Sequence, residues 1–253
     1  MRNWARAAFG AALMGMLGTM DTALGADIVV FANQGAVSAL RDLAPAYEKT
    51  SGHKVTVKLV EGPSVVASLK SDPPGDVVST FSEAFDRLVK DGLVVAGTAT
   101  QYARAGNGVA VKAGAPKPDI STAEGFKQAM LKAKSIGHSQ NGTGPYNTKL
   151  FQRLGIYEQV KHKVVLSKGR PVATYVASGE VEIGLQQTNV IQPFPGTDYL
   201  GPLPAELIEY GHFSLGVSAR SKNREAAMAF IAFATSPAAA PLVRKSTMEP
   251  PAR

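Results

Sequence analysis

Short, wholly apolar runs alternate along this chain with stretches whose apolar residues recur every third or fourth position, and that alternation admits few folds. Ile28-Val29-Val30-Phe31 is the first such run. Apolar on both faces, it reads as a strand covered on both sides. Behind it, Val37, Leu40, Ala44 and Tyr47 lay one apolar stripe along a helix that Ser51-Gly52 ends. A second strand follows at 55–60, a helix at 64–70, a third strand at Val77-Val78, a helix with Phe85, Leu88 and Val89 inward, and a strand at 107–112. Strand and helix in turn predict parallel sheet, an α/β architecture.

After 112 the composition changes. Gly114-Ala115-Pro116-Lys117-Pro118 is a stiff loop, and Ser121-Thr122-Ala123-Glu124 has the form of a capping box opening a helix to Lys132. A second series then runs through a strand at 135–137, a helix at 146–154, a strand at 164–166, a helix at 171–177 and a strand at 183–185. Pro193, Pro195, Pro202 and Pro204 mark an irregular passage; 213–219 alternates as a strand, and 225–234 forms a helix. The two series share an order of elements but no sequence repeat.

At the N-terminus, Arg2 and Arg6 precede an apolar run from Ala7 to Met20, and Ala23-Leu24-Gly25 offers small residues for cleavage. This is the pattern of a secretory signal peptide over 1–25, since roughly 14 apolar residues fall short of the about 20 that a membrane span requires. About 228 of the 253 residues would remain, enough for two lobes. The chain has no cysteine, so an exported product must be held by its core alone. The net charge of +7 becomes +6 once two arginines and Asp21 leave. Lysines and arginines are scattered, with no run longer than Arg244-Lys245 and no interleaved aromatics, which excludes a nucleic-acid partner and suits a small anion.

Several stretches in this order resemble the molybdate-binding proteins of ABC transporters: Val30-Phe31-Ala32, Ala39-Leu40, Tyr47-Glu48, Pro74-Gly75-Asp76-Val77, Arg153-Leu154-Gly155, Gly179-Glu180-Val181-Glu182-Ile183-Gly184, and Ala229-Phe230-Ile231-Ala232-Phe233 before Ser236-Pro237. The resemblance spans nearly the whole chain after residue 25. It implies a type II periplasmic binding protein: two lobes, each a mostly parallel sheet flanked by helices, with the ligand between them. Lobe I would comprise 26–106 and 213–253, lobe II 107–212, with crossing strands near 107–112 and 213–219 acting as hinges. It also implies a periplasmic monomer, with a membrane permease and a cytoplasmic ATPase as partners and no cofactor or metal.

An oxyanion is held by converging hydrogen-bond donors, and helix N-termini supply free N–H groups and a positive dipole end. Four helix starts carry suitable residues: Asn33-Gln34-Gly35; Gly62-Pro63-Ser64, where Ser64 is a ligand or a plain N-cap; Asn141-Gly142-Thr143-Gly144, where Thr143 and Gly144 match the family's anion loop; and Gly169-Arg170-Pro171, with Pro171 in the first helical turn and Arg170 a carboxylate fork or a solvated surface charge. Gln186 and Gln187 follow a buried strand, and Gln187 stands where the resembling family has a ligand-holding tyrosine. Gly35 likewise replaces a hydroxyl residue of that family. Amides and Arg170 in place of hydroxyls suit a planar di- or tricarboxylate, so both a molybdate-like oxyanion and an organic carboxylate stay open. A carboxylate isomerase, such as aconitate isomerase, is the alternative on the same scaffold, with His138 and Glu61 as candidate bases. Gly-x-Ser-x-Gly and His-Glu-x-x-His are absent, and His53, His138, His162 and His212 lack metal-ligand spacing.

Overall fold

The computed structural model describes residues 25–60 and 64–251. The segment read as a signal peptide, apart from Gly25, and Glu61, Gly62 and Pro63 lie outside the described residues. The first sheet contains β1 (Asp27–Ala32), β2 (Lys54–Leu59), β3 (Val77–Phe81), β4 (Thr100–Ala105) and β10 (Gly211–Val217); the second contains β5 (Asn107–Lys112), β6 (Ile136–Ser139), β7 (Val164–Ser167), β8 (Ile183–Gln187) and β9 (Thr197–Pro202). The helices are α1 (Gln34–Ser51), α2 (Ser64–Lys70), α3 (Phe85–Lys90), α4 (Ala123–Lys132), α5 (Gly144–Arg153), α6 (Tyr157–Val160), α7 (Val172–Ser178), α8 (Thr188–Ile191), α9 (Arg224–Ala234) and α10 (Ala240–Lys245).

The sheets are built alike. Their orders are β2-β1-β3-β10-β4 and β7-β6-β8-β5-β9. In each, the first three strands are parallel, the fourth runs against its neighbours, and the fifth, antiparallel to the fourth, points with the first three. The chain passes from the first sheet to the second between Ala105 and Asn107, and returns between Pro202 and Gly211.

Of the apolar stripe read on the first helix, Leu40, Ala44 and Tyr47 are buried and Val37 is half-buried. Ala36, Leu40, Leu43 and Tyr47 of α1 are buried against Ile28, Val30, Phe213 and Leu215 of the sheet and Phe230 of α9. The helix stops at Gly52, whose φ of 74° is the left-handed conformation that glycine adopts without strain. The second core is separate: Val109, Val111, Phe126, Met130, Ile136, Phe151, Ile183 and Leu185.

Three local expectations change. β4 and β9 were not expected. Within Thr100–Ala105 only Tyr102, Ala103 and Ala105 are buried, and a bulge against β10 interrupts the alternation; β9 is a half-exposed edge strand, where prolines at its flanks cost no ladder hydrogen bond. The cap of α4 is Thr122 rather than Ser121, its hydroxyl accepting from Gly125 N–H at 3.0 Å, while Glu124 turns to Gln128. Among the described residues no single helix is long and apolar enough to cross a membrane.

Phe230 has no exposed surface and meets the Tyr47 ring edge-on at 5.3 Å. Phe230→Ala should therefore cost about 3–5 kcal/mol of unfolding free energy, measured by denaturant titration.

Candidate functional site

Both sheets end their parallel strands at one cavity of about 180 Å³. It is lined from the first sheet by Asn33, Gln34, Gly35, Val65, Thr80 and Phe81, and from the second by Ser139 to Thr143, Ser167, Gly169, Arg170, Gln186, Gln187 and Val190. The carboxyl ends of parallel strands are where open α/β sheets bind ligands, because helix N-termini converge there.

Each wall is built by local chemistry. Asn33 caps α1, its Oδ1 accepting from Ala36 N–H at 2.9 Å and its Nδ2 donating to Thr80 Oγ1 at 3.2 Å. Its carbonyl oxygen is therefore spent on the helix and one of its two amide hydrogens on Thr80. Beneath this turn Tyr102 O–H donates to the Ala36 carbonyl, and Ser79 Oγ donates to the Tyr102 oxygen at 3.1 Å. Burial pushes the Tyr102 phenol well above its usual range, so it stays protonated as a donor.

Gln186 Oε1 accepts from Val172 N–H at 2.9 Å and so takes one of the free donors opening α7. Its Nε2 reaches Gln34 Oε1 across the cavity at 3.4 Å. Pro171 precedes the first turn of α7 as the N-cap instead of lying within it. Arg170 is exposed, its guanidinium 4.4 Å above the Tyr175 ring. No carboxylate lies within ion-pair distance of it among the described residues.

The Asn141–Gly144 loop contributes Asn141, Gly142, at φ 60°, and Thr143 to the cavity, but not Gly144. The Gly144 N–H bonds back to the Asn141 carbonyl, and a Cβ there would fall 1.7 Å from the Ser139 oxygen, so its lack of a side chain serves packing. Thr143 Oγ1 lies 3.3 Å from Ser139 Oγ. Gly35 is likewise bare because Gln187 Oε1 and the Phe213 ring take the space of its Cβ. Ser64 is exposed at the start of α2 and does not line the cavity; its neighbour Val65 does.

His138, a candidate base, is buried beneath the β6–α5 loop and is not part of the cavity lining. Its Nδ1 faces the Ser139 carbonyl at 3.0 Å, which makes Nδ1 the protonated nitrogen. Glu61, the other candidate base, lies outside the described residues. Among the described residues, no three of His, Asp and Glu converge as a metal site would require.

Sequence reasoning missed Thr80, Phe81, Ser139, Ser167 and Asn189. Ser139 and Ser167 are register partners at the ends of β6 and β7; a polar residue closing an apolar strand was the available signal. Nothing local marks Asn189, whose Nδ2 donates to Gly35 O at 2.7 Å and Ser38 Oγ at 2.6 Å on α1.

Two like-ordered α/β sheets joined by two crossings, with a polar cavity between their strand ends, define the two-lobed class of type II periplasmic binding proteins. The chain matches the model of bacterial extracellular solute-binding proteins over residues 28–249 and belongs to that family. It is 31% identical over 229 residues to an aconitate isomerase from a Pseudomonas species, covering 88% of this chain and 87% of that protein. It is 26% identical over 250 residues to the molybdate-binding protein ModA of Azotobacter vinelandii, covering 90% and 96%. The solved structure of the Azotobacter vinelandii periplasmic molybdate-binding protein superposes with a TM-score of 0.73 at 19% identity, over 89% of this chain and 100% of that one. The fold and family that the sequence resembled are those found.

Burial holds His138 below its ordinary 6.5, opposed only in part by the Ser139 carbonyl. The unfolded chain therefore binds a proton at a higher pH than the folded one. The stability this residue contributes is full above about 6.5 and is lost as pH falls from there through the lower folded-state value. Denaturant unfolding at about pH 8 and about pH 5.5 should show wild type losing more stability on acidification than His138→Gln.

Proposed function

We propose that this protein is an exported receptor that takes a small anion between two lobes, 26–106 with 213–253 and 107–212, and that the anion is an organic di- or tricarboxylate. The observation that carries the reading is Arg170. It stands on the cavity wall, braced on Tyr175 and paired with no carboxylate among the described residues, and a planar guanidinium binds a carboxylate through two parallel hydrogen bonds. Around it the polar lining is mainly amide, hydroxyl and backbone N–H rather than acidic. At about 180 Å³ the cavity lies below the 300–1,000 Å³ of drug-sized sites and suits a small ligand. The N-terminal signal pattern supports a periplasmic location. By family likeness, a monomeric closed form then hands the ligand to a membrane permease driven by an ATPase.

Ligand oxygens bridging Arg170 and the 141–143 loop to the first turn of α1 favour the closed arrangement, with the two inter-sheet crossings as hinges. Molybdate and tungstate are the competing ligands. Isomerisation of an unsaturated polycarboxylate is the second reading, favoured by the 31% identity to aconitate isomerase.

A thermal-shift series of the mature protein with citrate, cis- and trans-aconitate, succinate, molybdate, tungstate, sulfate and phosphate should raise the melting temperature with a carboxylate. A shift with molybdate or tungstate alone would reject the carboxylate reading. Proton NMR of the aconitates incubated with the protein decides turnover: interconversion makes it an isomerase, and unchanged spectra leave a receptor. Arg170→Ala should weaken carboxylate binding by about 1.5–3 kcal/mol, by calorimetry, with the unfolding free energy unchanged.

A further inference from the structure

The polar cavity is not the whole of the space between the sheets. A second compartment of about 520 Å³ adjoins it, and Phe81, Gly142 and Thr143 line both. These three residues form the passage. The Phe81 ring is held by stacking on Phe213 at 4.8 Å, and it faces Gly142 so closely that a Cβ there would stand 3.7 Å from Phe81 Cε2. Beyond the passage the lining is mixed. Lys149, exposed on α5, pairs with no carboxylate among the described residues. His212 of β10 has its Nδ1 2.9 Å from Gln101 Nε2 on the neighbouring strand β4; an amide nitrogen only donates, so Nδ1 accepts and Nε2 carries the hydrogen. On the acceptor side, Asn107 is 2% exposed and donates from Nδ2 to Asn147 Oδ1 at 2.9 Å, while its Oδ1 receives no hydrogen bond among the described residues. Glu83 is likewise unpaired among the described residues, whereas Glu209 is taken by Arg153 at 3.1 Å.

We propose that this second compartment is a subsite for the distal part of the ligand, and that the ligand is an extended, hydroxyl-bearing dicarboxylate rather than a compact anion. The inference rests on the first cavity being the carboxylate site. Size favours two compartments: about 180 Å³ falls below the roughly 300–1,000 Å³ of drug-sized sites, whereas the adjoining space falls within that range. Charge sets the two ends. Arg170 takes one carboxylate in the first cavity, and Lys149 is the unpaired cation for another in the second. The stretch between them meets acceptors at Asn107 and Glu83 and a donor at His212. A hydroxyl satisfies both kinds of partner. A methylene satisfies neither, and leaves Asn107 Oδ1 without a partner once it displaces water. A tetrahedral oxyanion held at Arg170 has no atoms to place in this compartment.

Calorimetric titration of the mature protein with succinate, adipate and glucarate separates the two compartments. Succinate is short, adipate has the length without the hydroxyls, and glucarate has both. Glucarate should bind tightest. Lys149→Ala should weaken glucarate about 3- to 10-fold and leave succinate unchanged, whereas Arg170→Ala should weaken both. Lys149 is exposed, so its replacement should leave the melting temperature unchanged. Proton NMR of the four histidines gives a second reading: glucarate should shift the His212 ring signal, assigned by its loss in His212→Gln, and succinate should not. Equal loss of succinate and glucarate binding in Lys149→Ala, or loss of neither, overturns the second subsite, as does a His212 signal that glucarate leaves in place. Adipate binding as tightly as glucarate overturns the hydroxyl-bearing class. Succinate binding that depends on Arg170 but shows no role for Lys149 leaves the carboxylate reading standing without the subsite. If none of the three acids binds, that reading fails and the subsite fails with it.

Discussion

The first turn of α1 is the point on which the two halves of the molecule meet. Asn33 caps it, Tyr102 supports it from beneath through the Ala36 carbonyl, and Gln186, Gln187 and Asn189 press on it from the other sheet. Neither half buries its own core through this contact, since the two hydrophobic cores share no residue. The contact instead sets how close the strand ends of the two sheets come, and hence the size of the cavity between them.

What that cavity can hold follows from the donors left over after the fold has used its own. The side-chain carbonyls of Asn33 and Gln186 are committed to opening α1 and α7, so the polar residues most easily read as ligands are partly structural. Arg170 and the Gly142-Thr143 backbone remain on the second sheet's side, and the side-chain donors of Gln34 and Thr80 on the first. The first sheet adds the opening turn of the 18-residue helix α1, whose dipole favours negative charge. A cavity with donors on both walls and a helix terminus among them offers positive potential without a buried carboxylate to oppose it.

The elements legible in the sequence were those whose two faces have unequal or wholly apolar surroundings. Ile28 to Phe31, the α1 stripe and the Ile183 strand announce themselves because burial demands a pattern. β4 and β9 do not, because an edge or bulged strand satisfies only one side of its ladder and tolerates polar residues and flanking prolines. The site divides in the same way. Helix-start residues such as Gln34, Thr143 and Arg170 were visible as local motifs, and they do meet in one cavity. His138, attractive as a loop histidine before a glycine-rich turn, is instead covered by the loop it precedes.

From residue order alone came the alternating α/β architecture, the separation into two similarly ordered series, and the donor-rich, anion-suited helix starts. Each depends on interactions within a few turns of chain, where periodicity and capping chemistry operate. Tertiary structure decided which of those donors stay free, that Gly35 and Gly211 are bare to make room for Gln187 and the Phe213 and Phe81 rings, and that Asn189 bridges the sheets. These are contacts between residues as far apart as 154 positions, as in the bond from Asn189 to Gly35. No local pattern encodes such a contact, because its energy is realised only when the two sheets come together.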